Sequence, residues 1–296
     1  MALTKRALRA SLKVLIGDDI PVVTTAAGLT DGTTFVTSQF DGAERGYLHG
    51  LWAMIESGEH DGKYRPIDVA EDSEGSPRTF HLAGTALAGV AGIISGINIS
   101  VHHIRPDQYT RAINEAIQLA YPHVYLAAMD SSLLVVANQV QYTLPAGYTP
   151  RLIRSIWMEG EGSYDEIPTY LIHNVRYSPD ETKLWINAVP GLRQDLLTAT
   201  RKIYIFTEKY LTLLAADTAY GALVNDSTAV VELTTGTQEE ELLLLYAKAR
   251  LFSIISGEPQ RANGTALAQQ AAIYLQEAQA AASHLKQRPV DRPGYQ

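Results

Sequence analysis

The sequence predicts an α+β protein: a helical bundle of an N-terminal helix, a central helix and a C-terminal helical hairpin, with two antiparallel β modules inserted between them. Three observations lead there. Apolar residues recur at helical spacing near both ends and after Pro106, β-branched and aromatic runs of strand length fill the stretches between, and turn-forming dipeptides punctuate those stretches. The expected divisions are an N-terminal helix at 1–20, a first β module at 22–104, a central helix at 105–137, a second, sandwich-like β module at 138–213, a helical hairpin at 214–288 and a flexible tail at 289–296.

The first segment, MALTKRALRASLKVLIGDD, begins basic, but Arg9 and Lys13 interrupt the apolar run before it reaches the length of a signal-peptide core. It reads instead as an amphipathic helix. Thr4 is the expected N-cap, Leu8, Leu12, Leu15 and Ile16 the apolar face, and Gly17 with Pro21 the stop. The basic residues Lys5, Arg6, Arg9 and Lys13 are expected on a solvated face, with contact to an acidic partner as the alternative.

From Val22 to Ile104 the pattern is β, with Asp31-Gly32, Asp41-Gly42 and Asp61-Gly62 as turn signals. The run from Gly46 to Gly58 fits either a strand pair or a short helix. The uncharged stretch from Leu82 to Val101 is long enough to cross a bilayer and carries a Gly92-x-x-x-Gly96 spacing. Its glycines, its polar Thr85, Ser95, Asn98 and Ser100, and the alternation of Ile97, Ile99 and Val101 favour buried strands joined by glycine turns.

At Pro106 the period changes. Tyr109, Ile113, Ile117 and Ala120 fall on one helical face, with Pro106 suited to the first turn and Pro122 ending the helix. From Gln139 to about Thr212 strand-length aromatic runs return, separated by turns such as Ser178-Pro179-Asp180. Thr237 followed by Glu240 has the capping-box spacing, and the helix it starts is expected to close at Gly257 and Pro259. Asn263-Gly264-Thr265 then opens an Ala- and Gln-rich helix.

Composition removes several functions. There are no cysteines, which excludes disulfides, thiolate catalysis and cysteine-ligated zinc or iron–sulfur centres. The net charge of −8 argues against a protein that holds nucleic acid by broad phosphate neutralisation. Charged residues are 19% of the chain, below the roughly 25% of an average soluble domain, as expected where partners cover much of the surface.

The search for chemistry returns no signature. Gly58, Gly62 and Lys63 lack phosphate-loop spacing, with Tyr64 where a metal-binding hydroxyl should stand. His102 and His103 are adjacent, so on a strand they point to opposite faces; His49, His60, His81, His123, His173 and His284 show no ligand spacing. The acidic residues Asp68, Glu71, Asp72 and Glu74 do not follow a calcium-loop pattern and read as a solvated loop. No GxSxG is present, and no pair of carboxylates stands out. No catalytic, cofactor or metal site is expected.

The junction INISVHHIRPDQYTRAINEAIQLAYP, with the preceding GSPRTFHLAGTALAG, resembles the neck, or head-to-tail connector adaptor, proteins of tailed bacteriophages. The matching positions are Pro106, Ala112, Ile113, Asn114, Ala116, Ile117, Tyr121 and Pro122. QYTLPAGYTPRLIRSIWM and ELLLLYAKARLF are similar to the opening of the β insertion and to the closing helices of that group. The likeness is sharp over about 40 residues and extends in layout over residues 75 to 287.

The resemblance implies a non-enzymatic virion protein that forms a homo-oligomeric ring, a dodecamer, between the portal protein and the tail or a second neck protein. Double-stranded DNA would pass through it transiently, in the virion neck after assembly in the host cytoplasm, with no membrane partner. Expected partner contacts are Lys5, Arg6 and Arg9 at one end and Arg288, Arg292 and Tyr295 in the tail. The competing expectation is a tail or baseplate protein that binds a host-surface glycan or receptor through loop aromatics such as Tyr148 and Tyr164; a glycosidase on a β scaffold is a third.

Overall fold

The computed structural model describes residues 2–29, 32–41, 48–68, 77–84, 87, 93–136, 139–146, 148–159, 168–172, 175–186, 201–217, 230–234, 236–258 and 263–285. The chain divides into two compact units. Unit 1 holds residues 1–124 and 212–285, and unit 2 holds residues 125–211 with 286–296.

Unit 1 is organised by a six-stranded antiparallel sheet. Its strands, in chain order, are β2 (Ile20–Val23), β3 (Thr34–Thr37), β4 (Trp52–Ile55), β5 (Tyr64–Asp68), β6 (Arg78–Leu82) and β7 (Asn98–His102), and their spatial order is β2-β7-β4-β5-β6-β3. The sheet curls until β3 meets the chain that continues from β2. Thr25 N–H donates to the Val36 carbonyl at 2.8 Å, Ala26 bridges Val36, and the Thr37 hydroxyl donates to the Val23 carbonyl at 3.0 Å. Closure satisfies backbone groups that an open edge would leave unpaired. The interior is a continuous apolar core that includes Val22, Phe35, Ala53, Ile55, Ile67, Phe80, Ile99 and Val101, with Phe35 stacked on Phe80 at 5.1 Å.

Close backbone approach marks the rim of this sheet. A Cβ on Gly28 would sit 2.1 Å from the Thr34 carbonyl oxygen, while the Gly28 N–H donates to Ile93 O at 2.8 Å. Backbone on both sides cannot give way. Gly28→Ala is expected to cost about 1–3 kcal/mol, the range for overpacking, read as a lowered urea midpoint at unchanged slope.

Around the sheet lie a short pair, β1 (Ala2–Thr4) with β15 (Val230–Thr234), and four helices: α1 (Lys5–Ile16), α2 (Pro106–Ala120), α3 (Gln238–Ser256) and α4 (Gly264–His284). Thr4 caps α1 by accepting from Ala7 N–H at 3.2 Å. Thr237 caps α3, and the Glu240 carboxylate reaches back to Gly236 N–H at 2.5 Å, one residue before the position a capping box would use. α4 buries only Ala271, Ala278 and Ala282.

Unit 2 carries two antiparallel sheets. One, in the order β11-β10-β14-β8, contains β8 (Leu126–Leu134), β10 (Ile153–Glu159), β11 (Pro168–Leu171) and β14 (Lys202–Lys209); the other, β12-β13-β9, contains β9 (Gln141–Thr143), β12 (Val175–Tyr177) and β13 (Lys183–Ile186). They share a core in which Ile156, Met158, Ile203 and Ile205 from the first sheet meet Tyr142, Leu184 and Ile186 from the second.

The helical bundle with inserted β modules is therefore corrected. Among the described residues there are fifteen strands and four helices, and the six-stranded sheet, not a bundle, is the frame of unit 1. Periodicity reports that a helix face is buried but not what buries it. α1 is fastened to the sheet: the Lys13 ammonium donates to Glu56 Oε1 at 2.8 Å, beside β4, and to the Ser100 hydroxyl of β7 at 3.1 Å. The residues after Pro122, expected with the central helix to 137, form β8 instead.

Other local expectations meet mixed outcomes. The 46–58 run contributes strand β4, and Asp61-Gly62 is a turn, with Gly62 at φ +79°. The uncharged 82–101 stretch ends in strand β7, and no described helix is long and apolar enough to cross a membrane. Asp31, Gly42, Glu71, Asp72, Glu74 and the glycines at 89 and 92 lie outside the described residues.

Candidate functional site

Among the described residues, a dense arrangement of polar groups sits where α1, β7 and α2 meet, at the β7–α2 junction that carries the family resemblance. Local sequence places its centre. α1 ends in a Schellman turn, with Gly17 at φ +71°, Gly17 N–H donating to Val14 O at 3.2 Å and Asp18 N–H to Lys13 O at 3.1 Å. That turn delivers Asp18 into the interior immediately after the helix.

The buried Asp18 carboxylate then serves as an anchor for the β7–α2 junction. Oδ1 accepts from His103 N–H at 2.7 Å and faces His103 Nδ1 at 3.0 Å; Oδ2 accepts from Ile104 N–H at 3.1 Å and from the Tyr109 hydroxyl at 2.5 Å. Burial, together with the charge and hydrogen bond of Asp18, pushes the Tyr109 phenol well above its ordinary range, so it stays a donor. One carboxylate thus ties the start of the chain to the first turn of α2.

Beside it runs a second chain of contacts. His102 Nδ1 lies 2.9 Å from the Asp18 carbonyl, which can only accept, so this nitrogen carries the hydrogen. His102 Nε2 faces the Ser100 hydroxyl at 2.7 Å, and that hydroxyl also reaches Glu56 Oε1 at 2.8 Å. Burial, reinforced by the Lys13 charge, lowers the His102 pKa to about 4, so the ring is neutral at pH 7 and Nε2 is an acceptor that shares the single Ser100 hydroxyl hydrogen with Glu56 Oε1. Burial raises the Glu56 pKa, but the hydrogen bond and charge of Lys13 with the Ser100 hydroxyl outweigh it and hold the carboxyl below its ordinary range.

A serine hydrogen-bonded to a histidine invites comparison with a nucleophile and its base. Here the third member is the Asp18 main-chain carbonyl rather than a carboxylate, and Ser100 and His102 are 2% and 0% exposed. No substrate reaches them, so the arrangement performs positioning and not acyl transfer. Spacing held the signal for it: Ser100 and His102 are two apart on a strand and share a face. Their partners Asp18 and Glu56 are distant in sequence and carry no local mark.

The resemblance motif is spent on packing. Ala112, Ile113, Ala116, Ile117 and Ala120 are buried on one face of α2. Asn114 bridges the returning chain, donating from Nδ2 to Leu214 O and accepting from Leu214 N–H, each at 2.8 Å. Glu115 holds Arg111 at 3.0 Å within the helix and Arg250 of α3 at 2.7 Å.

The basic face expected to be solvated is largely buried, which corrects that expectation for Lys5, Arg9 and Lys13. Lys5 forms an ion pair with Asp217 in which both side chains are inaccessible, and Lys13 is bonded as described. The buried stripe 5-8-9-12-13 follows these polar attachments, leaving Val14 and Leu15 exposed although Leu15 was assigned to the apolar face. Arg6 remains at the surface, donating from Nη2 to both Asp61 oxygens at 2.6 Å. Arg288, Arg292 and Tyr295 lie outside the described residues.

His102 and His103 do point apart, the first buried and the second largely exposed. Among the described residues no group of three or more His, Asp or Glu is placed to hold a metal ion. No family model matches the chain, and no curated protein matches it.

Proposed function

We propose that this chain is a structural virion protein, a head-to-tail connector adaptor that forms a ring, dodecameric in the family it resembles, between portal and tail and lines the passage of double-stranded DNA. It acts without catalysis, in the virion neck after assembly in the host cytoplasm. The observation that carries this reading is the fate of the resemblance segment. Its residues from Ser100 to Ala120 build an internal joint of buried apolar contacts and carboxylate anchors, with the polar groups turned inward rather than toward a cleft. A net charge of −8 suits a channel that DNA must traverse without adhering.

The test is to mix the purified chain with the portal protein of the same virion and to examine mass and symmetry by light scattering and negative-stain imaging. Closed rings seated on the portal are the expected result. A chain that stays monomeric and leaves the portal unbound overturns the proposal.

The receptor-binding alternative gains no support from the aromatic residues it named. The Tyr148 ring packs against the unit 2 core with the Lys209 ammonium 4.6 Å from its centre, and Tyr164 lies outside the described residues.

A further inference from the structure

The chain passes from unit 1 into unit 2 after Val124 and returns at Thr212. These two crossings are held differently inside unit 1. The outgoing one is set at the end of α2, where the Ala120 carbonyl accepts from the His123 and Val124 amides at 2.8 and 3.0 Å and Val124 is buried. The returning one, residues 212–217, has neither helix nor strand. Leu214 is its one buried apolar residue, while Thr212, Leu213, Ala215 and Ala216 are exposed.

Two side chains fasten this returning strap. Asn114 of α2 acts on it as a neighbouring strand would, accepting from Leu214 N–H and donating to Leu214 O, each at 2.8 Å. Lys5, in the first turn of α1, donates to the Ala215 carbonyl at 3.3 Å and pairs with Asp217. Such attachments hold position without resisting release strongly. When they part, amide and backbone exchange one partner for water, and Lys5 and Asp217 recover the hydration they gave up on burial. What opening loses outright is the burial of one leucine. A segment with few buried apolar contacts and exposed backbone opens below the global unfolding free energy. α1 keeps its separate attachment to the sheet through Lys13.

We infer that residues 212–217 form a latch that releases from α1 and α2 as one unit while the rest of unit 1 stays folded. Released, the six residues reach about 20 Å when extended, so the return crossing changes from a fixed point to a tether. α2 is the bearing of the device: its C-terminal end fixes the outgoing crossing and its Asn114 grips the returning one. Asn114 thereby has a task distinct from that of Ile113 and Ile117 in the same segment, which are spent on helix packing. The latch is independent of ring formation.

Hydrogen–deuterium exchange of the whole chain at rising urea tests it. The Leu214 amide is expected to be protected, yet to exchange about tenfold or more faster than the Ala116 and Ile117 amides of α2. Its rate should not change with urea below the unfolding transition, because local opening exposes little surface. Lys5 bonds to Ala215 and Asp217 rather than to Leu214, so exchange at Leu214 in Lys5→Met reports whether the strap moves as a unit. That variant is expected to speed the Leu214 amide by about tenfold, the scale of one charged hydrogen bond, with the α2 amides unchanged. In this cysteine-free chain Leu214→Cys gives a second reading, a buried thiol that reacts at a rate independent of urea. Leu214 exchange that follows the slope of global unfolding shows a fixed clamp and overturns the latch. An unprotected Leu214 amide, or one indifferent to Lys5→Met, overturns it as well; if Lys5→Met does not fold, the urea dependence of the wild type decides.

Discussion

Asp18→Ala is expected to lower the stability of unit 1 by on the order of 3–5 kcal/mol, the scale for breaking one side of a buried polar network. The carboxylate receives the His103 and Ile104 amides and the Tyr109 hydroxyl and faces His103 Nδ1, all from the β7–α2 junction. Without it these donors lose their acceptor in a space too enclosed for ready hydration, and each buried group left unpaired costs about 1–3 kcal/mol. Asp18→Asn retains shape and one acceptor oxygen and should lose less. Urea unfolding followed by far-ultraviolet circular dichroism reads both; a loss below about 1 kcal/mol for the alanine variant would show that the junction is held by packing alone.

The second large effect is acid lability. His102 is neutral in the folded protein down to about pH 4, whereas in the unfolded chain it takes up its proton near pH 6.5. Above pH 6.5 the two states bind the same number of protons and His102 contributes no slope. Between pH 6.5 and 4 the unfolded state binds more, so stability falls as the pH falls, by on the order of 3 kcal/mol across the window. Glu56 acts in the same direction lower down: its folded value lies below 4.5, so its contribution is present above that value and lost as the carboxyl is protonated. His102→Gln should flatten the profile between pH 6.5 and 4 and leave the lower limb in place. Unfolding midpoints measured at half-unit steps would separate the two, and an unchanged upper limb in the variant would remove His102 as its cause.

Much of the local structure was legible because its causes are local. Thr4 and Thr237 as caps, Gly17 as a stop, and the helix from Pro106 to Ala120 each depend on residues within one or two turns. Contacts across long separations were not legible. The face that α1 buries is set by Lys5 meeting Asp217 and Lys13 meeting Glu56, neither of which leaves a periodic trace. A bundle was expected because amphipathic helices need cover, and the curled sheet that provides it is assembled from strands only four or five residues long. β8, with its alanines, leucines and methionine, has the composition of a helix; pairing with β14, some seventy residues later in the chain, overrides that preference. The junction itself was singled out by resemblance, yet Asp18, Glu56 and Lys13 were not, since a carboxylate or ammonium on a polar surface and one in a buried joint look alike in one dimension.

The pairing of the chain's first strand with its last has a consequence for biosynthesis. β1 finds its register on Val230–Thr234, and Lys5 pairs with Asp217, 212 positions downstream. At translation rates of about 5–20 residues per second, the amino terminus waits roughly 10–40 seconds on the ribosome before these contacts become available. Unit 2, contiguous from Tyr125 to Leu211 apart from the tail, emerges complete before unit 1 can close. Nascent chains therefore carry a complete unit 2 before their own ends are joined.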